Sequence, residues 1–133
     1  MFTYSTSVKL HDTDAAGLLF FSRQFTIAHD AYELFMETIG FGFSYIIRES
    51  GFLLPVIHAE ADFSEPLFVG DKLTVQLSVE RIGETSFTLA YDLLAEGGKS
   101  AGTVRTVHVC IDRHHRGKRV LPNGLRSALE PYH

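Results

Sequence analysis

The segment from Phe20 to Ile39 constrains the fold more than any other. Plotted at about 100° per residue, Phe20, Phe21, Phe25, Ile27, Ala28, Ala31, Tyr32, Leu34, Phe35, Met36 and Ile39 share one arc. Ser22, Thr26, His29, Asp30, Glu33 and Glu37 fill the remainder. The apolar arc covers more than half the circumference, wider than the stripe of an ordinary surface helix. A helix this apolar has to be enclosed, and a curved sheet encloses it best. Gly40 is the expected stop.

The flanking sequence supplies that sheet. Phe2, Tyr4, Val8 and Leu10 recur at period two, which predicts an opening strand with all four on one face. "GFGFSYIIRESGFLLP" reads as a short helix or irregular stretch ending at Gly51 and Pro55. "VIHAEADF" alternates, and "EPLFVGD" breaks the pattern with Pro66 and a Gly70-Asp71 turn. "KLTVQLSVERI" and "SFTLAYDLLA" are two further strands. After Gly97-Gly98, "SAGTVRTVHVCID" alternates through Val107, Val109 and Ile111. "RHHRGKRVLP" is a charged turn and "NGLRSALE" a short closing helix. The order is strand, long buried helix, four strands. One helix cannot cover both faces and both edges of such a sheet, so a homodimer or homotetramer is expected.

At 133 residues, with 45% hydrophobic and 21% charged residues, residues 1–133 are expected to form a single domain. The formal net charge of -4 offers no basic field for a nucleic-acid backbone. No apolar run approaches a membrane span, and no basic segment leads into an apolar core as in a signal peptide. The single cysteine, Cys110, has no partner for an internal disulfide. A cytoplasmic protein without a membrane or nucleic-acid partner is expected.

Between the opening strand and the helix stands "HDTDAAGLLFF", residues 11–21. Aspartate before a helix is often only a cap, and Asp and Gly are turn formers. In this setting, "DTDAAGLLFFSRQF" resembles the D-x-D-x-x-G signature of 4-hydroxybenzoyl-CoA thioesterase-type enzymes. "HDAYE", "LPVIHAEADF", "GDKLTV" and "VHVCID" are most similar to bacterial 1,4-dihydroxy-2-naphthoyl-CoA thioesterases, which serve menaquinone and phylloquinone synthesis. The resemblance spans roughly residues 3 to 122. It implies the α+β hotdog fold, a five-stranded antiparallel sheet wrapped around a long central helix. It implies hydrolysis of an aromatic acyl-CoA thioester, with no metal and no cofactor beyond the coenzyme A of the substrate.

Thioester hydrolysis needs a nucleophile or base, a donor for the developing oxyanion, and an acyl pocket. By the resemblance, Asp14 attacks the thioester carbonyl or activates a water. The Phe21 backbone N–H, at the helix start, binds the oxyanion. The first N–H groups of a helix lack internal partners, which suits that role. Gly17 permits a tight turn and close approach to backbone. Asp12 reads as a structural acid, capping or paired. His58, Phe20, Phe25 and Ser86 are the candidate substrate contacts, with Phe41, Phe43, Tyr45 and Phe63 as further aromatics near the acyl group. His58 reads equally well as a strand histidine with a satisfied hydrogen bond. The basic residues that precede the Ser-Phe pair in the 4-hydroxybenzoyl type are here Gly83, Glu84 and Thr85. By charge alone, Arg81, Lys99, Arg105, Arg113, Arg116, Lys118 and Arg119 are candidates for the coenzyme A phosphates.

Three other readings stand beside this one. They are a thioesterase for another aromatic or short-chain acyl-CoA, a hotdog dehydratase or hydratase, and a non-catalytic acyl-CoA binding module. A dehydratase would use a histidine with a carboxylate, and His29 with Glu33 is the one helix-borne pair. That pair reads better as a surface or interface contact than as a metal half-site. His114 and His115 are expected to be solvated, and Cys110 packed.

Overall fold

The apolar segment forms a helix, α1, over Arg23–Thr38. The computed structural model describes residues 1–133. Ile27, Ala28, Ala31, Tyr32, Phe35 and Met36 form the buried face of α1. The helix begins later than its periodicity predicts. The Phe20 N–H donates to Asp12 O at 2.9 Å, which holds Phe20 in the preceding loop. Phe20 and Phe21 stand largely exposed, and Leu34 is half-exposed, so the buried arc is narrower than the sequence suggests. At its other end α1 closes on Gly40, which adopts φ +90°. The Gly40 N–H reaches Glu37 O at 3.2 Å and the Phe41 N–H reaches Met36 O at 2.8 Å, the pair of bonds of a Schellman motif.

Against α1 lies a five-stranded antiparallel sheet in the order β1-β4-β5-β6-β3. Its strands are β1 (Phe2–Ser7), β3 (Val56–Phe63), β4 (Lys72–Ile82), β5 (Ser86–Ala95) and β6 (Ser100–Val109). Alternation puts Leu73, Val75, Leu77 and Val79 of β4 and Phe87, Leu89, Tyr91 and Leu93 of β5 on the inner face. Burying each such side chain contributes roughly 1.5–3 kcal/mol. A short helix α2 (Phe43–Arg48), a two-residue pairing of β2 (Phe52–Leu53) with β7 (Ile111–Asp112), and a closing helix α3 (Asn123–Leu129) complete the chain. No helix is long and apolar enough to cross a membrane.

Two expectations about strand faces change. Leu10 does not join Phe2, Tyr4 and Val8. The chain turns into one turn of 3-10 helix at Leu10–Asp12, and the Leu10 side chain is 77% exposed. In β6 the inward row is Val104, Thr106 and His108, not Val107, Val109 and Ile111. Cross-strand register decides this, because His108 pairs with Phe87 and Thr106 with Leu89, both inward residues. The polar groups are accommodated by bonding to one another. Thr106 Oγ1 lies 2.8 Å from His108 Nε2 and 3.0 Å from the Tyr91 hydroxyl. Burial drives the His108 pKa down to about 3, with the His29 imidazole adding to the effect.

The connection between β3 and β4 positions the site. These strands lie at opposite sides of the sheet order, β3 at one edge and β4 beside β1, so residues 64–71 must cross beneath the sheet end. The crossing segment is stitched to the acidic loop by main-chain bonds. Leu19 N–H donates to Leu67 O at 2.7 Å, Val69 N–H to Gly17 O at 2.9 Å, and Gly70 N–H to Val8 O at 2.8 Å.

Candidate active site

Where the crossing segment passes the start of α1, a cleft of about 370 Å³ opens. Asp14, Leu18, Leu19, Phe21 and Gln24 line it from the acidic loop and helix, Phe63 from the end of β3, and Ser64, Glu65, Pro66 and Leu67 from the crossing segment. Gly17 makes the loop possible. Its φ of +80° is disfavoured for any residue with a Cβ, whereas an added Cβ would touch only Val69 Cγ1 at 3.8 Å. The glycine therefore serves the turn rather than relieving crowding by other parts of the chain.

The two aspartates of the loop are held differently. Asp12 is buried, and its Oδ2 accepts the Lys9 N–H at 3.0 Å. It closes the 3-10 turn, a structural task. Asp14 is exposed. Its Oδ1 accepts the N–H groups of Ala16 at 2.8 Å and Leu18 at 3.2 Å, which fixes the carboxylate plane. No donor of the chain reaches Oδ2, so one oxygen is anchored and the other is unpaired. Across the cleft, the first helical bonds are Arg23 N–H to Phe20 O and Gln24 N–H to Phe21 O. The Phe21 N–H itself has no acceptor in the chain. Asp14, Phe21 and Phe63 thus line one cleft.

Other candidate residues lie elsewhere. Phe20 packs on Phe21, ring centroids 4.8 Å apart, just outside the lining. Phe25 is partly buried against the core. Ser86 begins β5 opposite Val109, at the far end of the strand from the cleft. His58 falls on the outer sheet face with Glu60, because Ala59 takes the inward position. Its Nε2 lies 3.2 Å from Glu60 Oε1. Glu60 also pairs with Arg105, whose hydrogen bond and that of His58 hold the carboxyl below its usual range. Arg105 bonds Glu80 as well, so its charge is shared between two carboxylates on the outer face. His29 and Glu33 stand on the exposed side of α1, and neither lines the cleft.

Among the candidate cations, Lys99 pairs with Glu65, Arg105 with two glutamates, and Arg119 with Asp112. Arg113 donates to the carbonyls of Ile46 and Ser50. Arg81, Arg116 and Lys118 carry no ion pair within the chain. Cys110 is fully buried, and burial pushes its thiol pKa up, the opposite of what a nucleophile needs. Gln24 is the residue that sequence reasoning missed. A polar side chain within an apolar arc was its only signal.

The family model of the thioesterase-like superfamily matches residues 8–129. The chain belongs to the thioesterase-like superfamily. Among curated relatives of this thioesterase-like chain, 1,4-dihydroxy-2-naphthoyl-CoA hydrolase of Nostoc punctiforme is 36% identical, over 97% of this chain and 86% of the relative. The enzyme of that name from Thermosynechococcus vestitus is 32% identical, over 96% and 87%. The crystal structure of a 1,4-dihydroxy-2-naphthoyl-CoA thioesterase from Synechocystis superposes with a TM-score of 0.90 at 33% identity, covering 96% of this chain and 94% of that one. The hotdog architecture of the thioesterase-like superfamily is that of the sheet and helix described above.

Proposed function

We propose that this single-domain chain hydrolyses an aromatic acyl-CoA thioester to the free acid and coenzyme A. The first candidate substrate is 1,4-dihydroxy-2-naphthoyl-CoA, an intermediate of menaquinone and phylloquinone synthesis. One observation supports the mechanism: Asp14, with one unpaired carboxylate oxygen, and Phe21, whose N–H has no acceptor in the chain, line the same cleft at the start of a buried helix. The names of the relatives over nearly the whole chain support the substrate.

In this reading the thioester carbonyl enters with its oxygen toward the Phe21 N–H. That donor is strengthened by the helix dipole and needs no reorganisation as negative charge develops. Asp14 Oδ2 then acts at the carbonyl carbon, either directly or through a water it deprotonates. In the direct route the thiolate of coenzyme A leaves and a mixed anhydride remains, which water opens to the acid and regenerated Asp14. In the water route a tetrahedral oxyanion bearing the new hydroxyl forms and collapses to the acid with loss of the thiolate, which takes up the proton held by Asp14. Borohydride quenching during turnover distinguishes the routes, since only the anhydride is reduced to leave homoserine at position 14.

A homodimer joined along β3 suits the exposed edge. Val56, Ile57 and Phe63 are exposed on this strand, whose outer side has no partner strand. Ile57→Lys should lower the mass seen by analytical ultracentrifugation. The lone buried thiol suits a reducing cytoplasm.

The substrate assignment is tested with aliphatic, benzoyl, hydroxybenzoyl and dihydroxynaphthoyl thioesters of coenzyme A. The expected result is the highest kcat/KM for dihydroxynaphthoyl. An aliphatic optimum would overturn it.

A further inference from the structure

Gln24 is 2% exposed, yet it is a polar residue on the second position of α1 among apolar neighbours. Its Nε2 donates to Asp62 O of β3 at 2.9 Å and to Thr103 O of β6 at 3.1 Å. These two residues face each other in register. A carboxamide nitrogen has two N–H donors, and both are spent on these carbonyls. Turning the amide over would set Oε1 against two carbonyl oxygens, so its orientation is determined. Gly102 clears the space, since a Cβ there would come within 2.7 Å of Nε2 and 2.9 Å of Oε1. No donor of the chain reaches Oε1, and Gln24 lines the cleft with Asp14, Phe21 and Phe63.

We propose that Gln24 orients the substrate, its free amide oxygen accepting a hydrogen bond from a neutral donor carried by the thioester. That donor is an aryl hydroxyl of the acyl group or an amide N–H of the pantetheine arm. This inference rests on the reading of the cleft as a thioesterase site. A nearly buried acceptor with no partner penalises a ligand that brings no donor to it. The lone pairs of Oε1 and the carboxylate of Asp14 also disfavour a second anion here. Gln24 therefore has two tasks: its nitrogen pins the helix start to the β3–β6 pair, and its oxygen selects the bound group.

The test compares wild type, Gln24→Met and Gln24→Glu on benzoyl-CoA, on the three monohydroxybenzoyl-CoA isomers, and on the same acyl groups as S-ethyl thioesters, which lack amides. Methionine keeps the shape and removes both functions, while glutamate, which burial and the two carbonyls hold protonated, keeps one O–H donor and an acceptor oxygen. Gln24→Met is expected to lose about tenfold in kcat/KM on the substrate that supplies the donor, the worth of one hydrogen bond, and Gln24→Glu to retain the wild-type preference. A loss confined to a hydroxylated acyl group supports the inference with the hydroxyl as donor. A loss on all coenzyme A esters but not on S-ethyl esters supports it with the amide as donor. An equal loss on every thioester, or none, overturns it and leaves Gln24 a staple between helix and sheet. Should Gln24→Met fail to fold, Gln24→Glu decides: retained preference supports the inference and lost preference overturns it. Asp14→Asn separates the two levels. Wild-type turnover in that variant overturns the thioesterase reading itself. An inactive Asp14→Asn beside an unselective Gln24→Met effect overturns only the role of Gln24.

Discussion

The two ends of α1 are finished in opposite ways. At the C-terminal end, Gly40 in the left-handed region returns its own N–H and that of Phe41 to the last helical carbonyls. At the N-terminal end no side chain caps the helix, and the Phe21 N–H has no acceptor. A helix end without partners costs stability. Only the end facing the cleft bears that cost, which is what a site reserved for an incoming oxygen requires. One end is closed by the chain itself, and the other leaves an N–H open, which the proposed function gives to the thioester oxygen.

The contrast predicts where substitutions act. Asp14→Asn removes the carboxylate proposed to react, while the amide oxygen can still accept the loop N–H groups. It should lower kcat on the order of 10³-fold with little change in thermal midpoint, and a midpoint fall that accounts for the lost activity would erase the contrast. Midway along the helix, His108 packs on Tyr32 with ring centroids 4.3 Å apart. Burial holds its pKa at about 3 in the fold, against about 6.5 in the unfolded chain. Between those values the unfolded state binds the extra proton, so stability falls as pH drops below 6.5 and levels off near 3. The loss is on the order of 5 kcal/mol across that window. Urea unfolding from pH 8 to pH 4 should show this slope, His108→Gln should flatten it, and kcat at pH 8 should not follow.

Gly17→Ala forces a Cβ into φ +80°. It should cost about 1–2 kcal/mol and lower kcat as well, because the strained turn also carries Asp14. Gly40→Ala imposes a similar strain at φ +90° and should cost about 1 kcal/mol, read as a lower thermal midpoint with kcat unchanged. Equal kcat losses in the two glycine variants would remove the distinction between the helix ends.

The sequence carried the parts of the molecule that are local. Asp14, Gly17 and Phe21 lie within one turn-and-helix junction, so spacing and resemblance bring them to notice together. The period-two run located β4 because buried Leu73, Val75, Leu77 and Val79 alternate with less buried polar residues. What escaped was set by distant pairing. Thr106 and His108 look like outward residues until their register with Leu89 and Phe87 turns them inward. Gln24 finds its partners on β3 and β6, 38 and 79 residues away. His58 sits near Pro55 in the sequence, but a register shift between Val56 and His58 and the alternation after it turn His58 to the outer face.

The loop that carries Asp14 is held almost wholly by main-chain atoms: Ala16 and Leu18 N–H on its carboxylate, Leu19 on Leu67, Val69 on Gly17. Any residue but proline can supply those donors. Side chains at Ala16, Leu18 and Val69, none of them in the buried core, can therefore be exchanged while the carboxylate keeps its position. Such a scaffold separates the reaction from the choice of what reacts, and new acyl preferences can be explored through neighbouring side chains without rebuilding the catalyst.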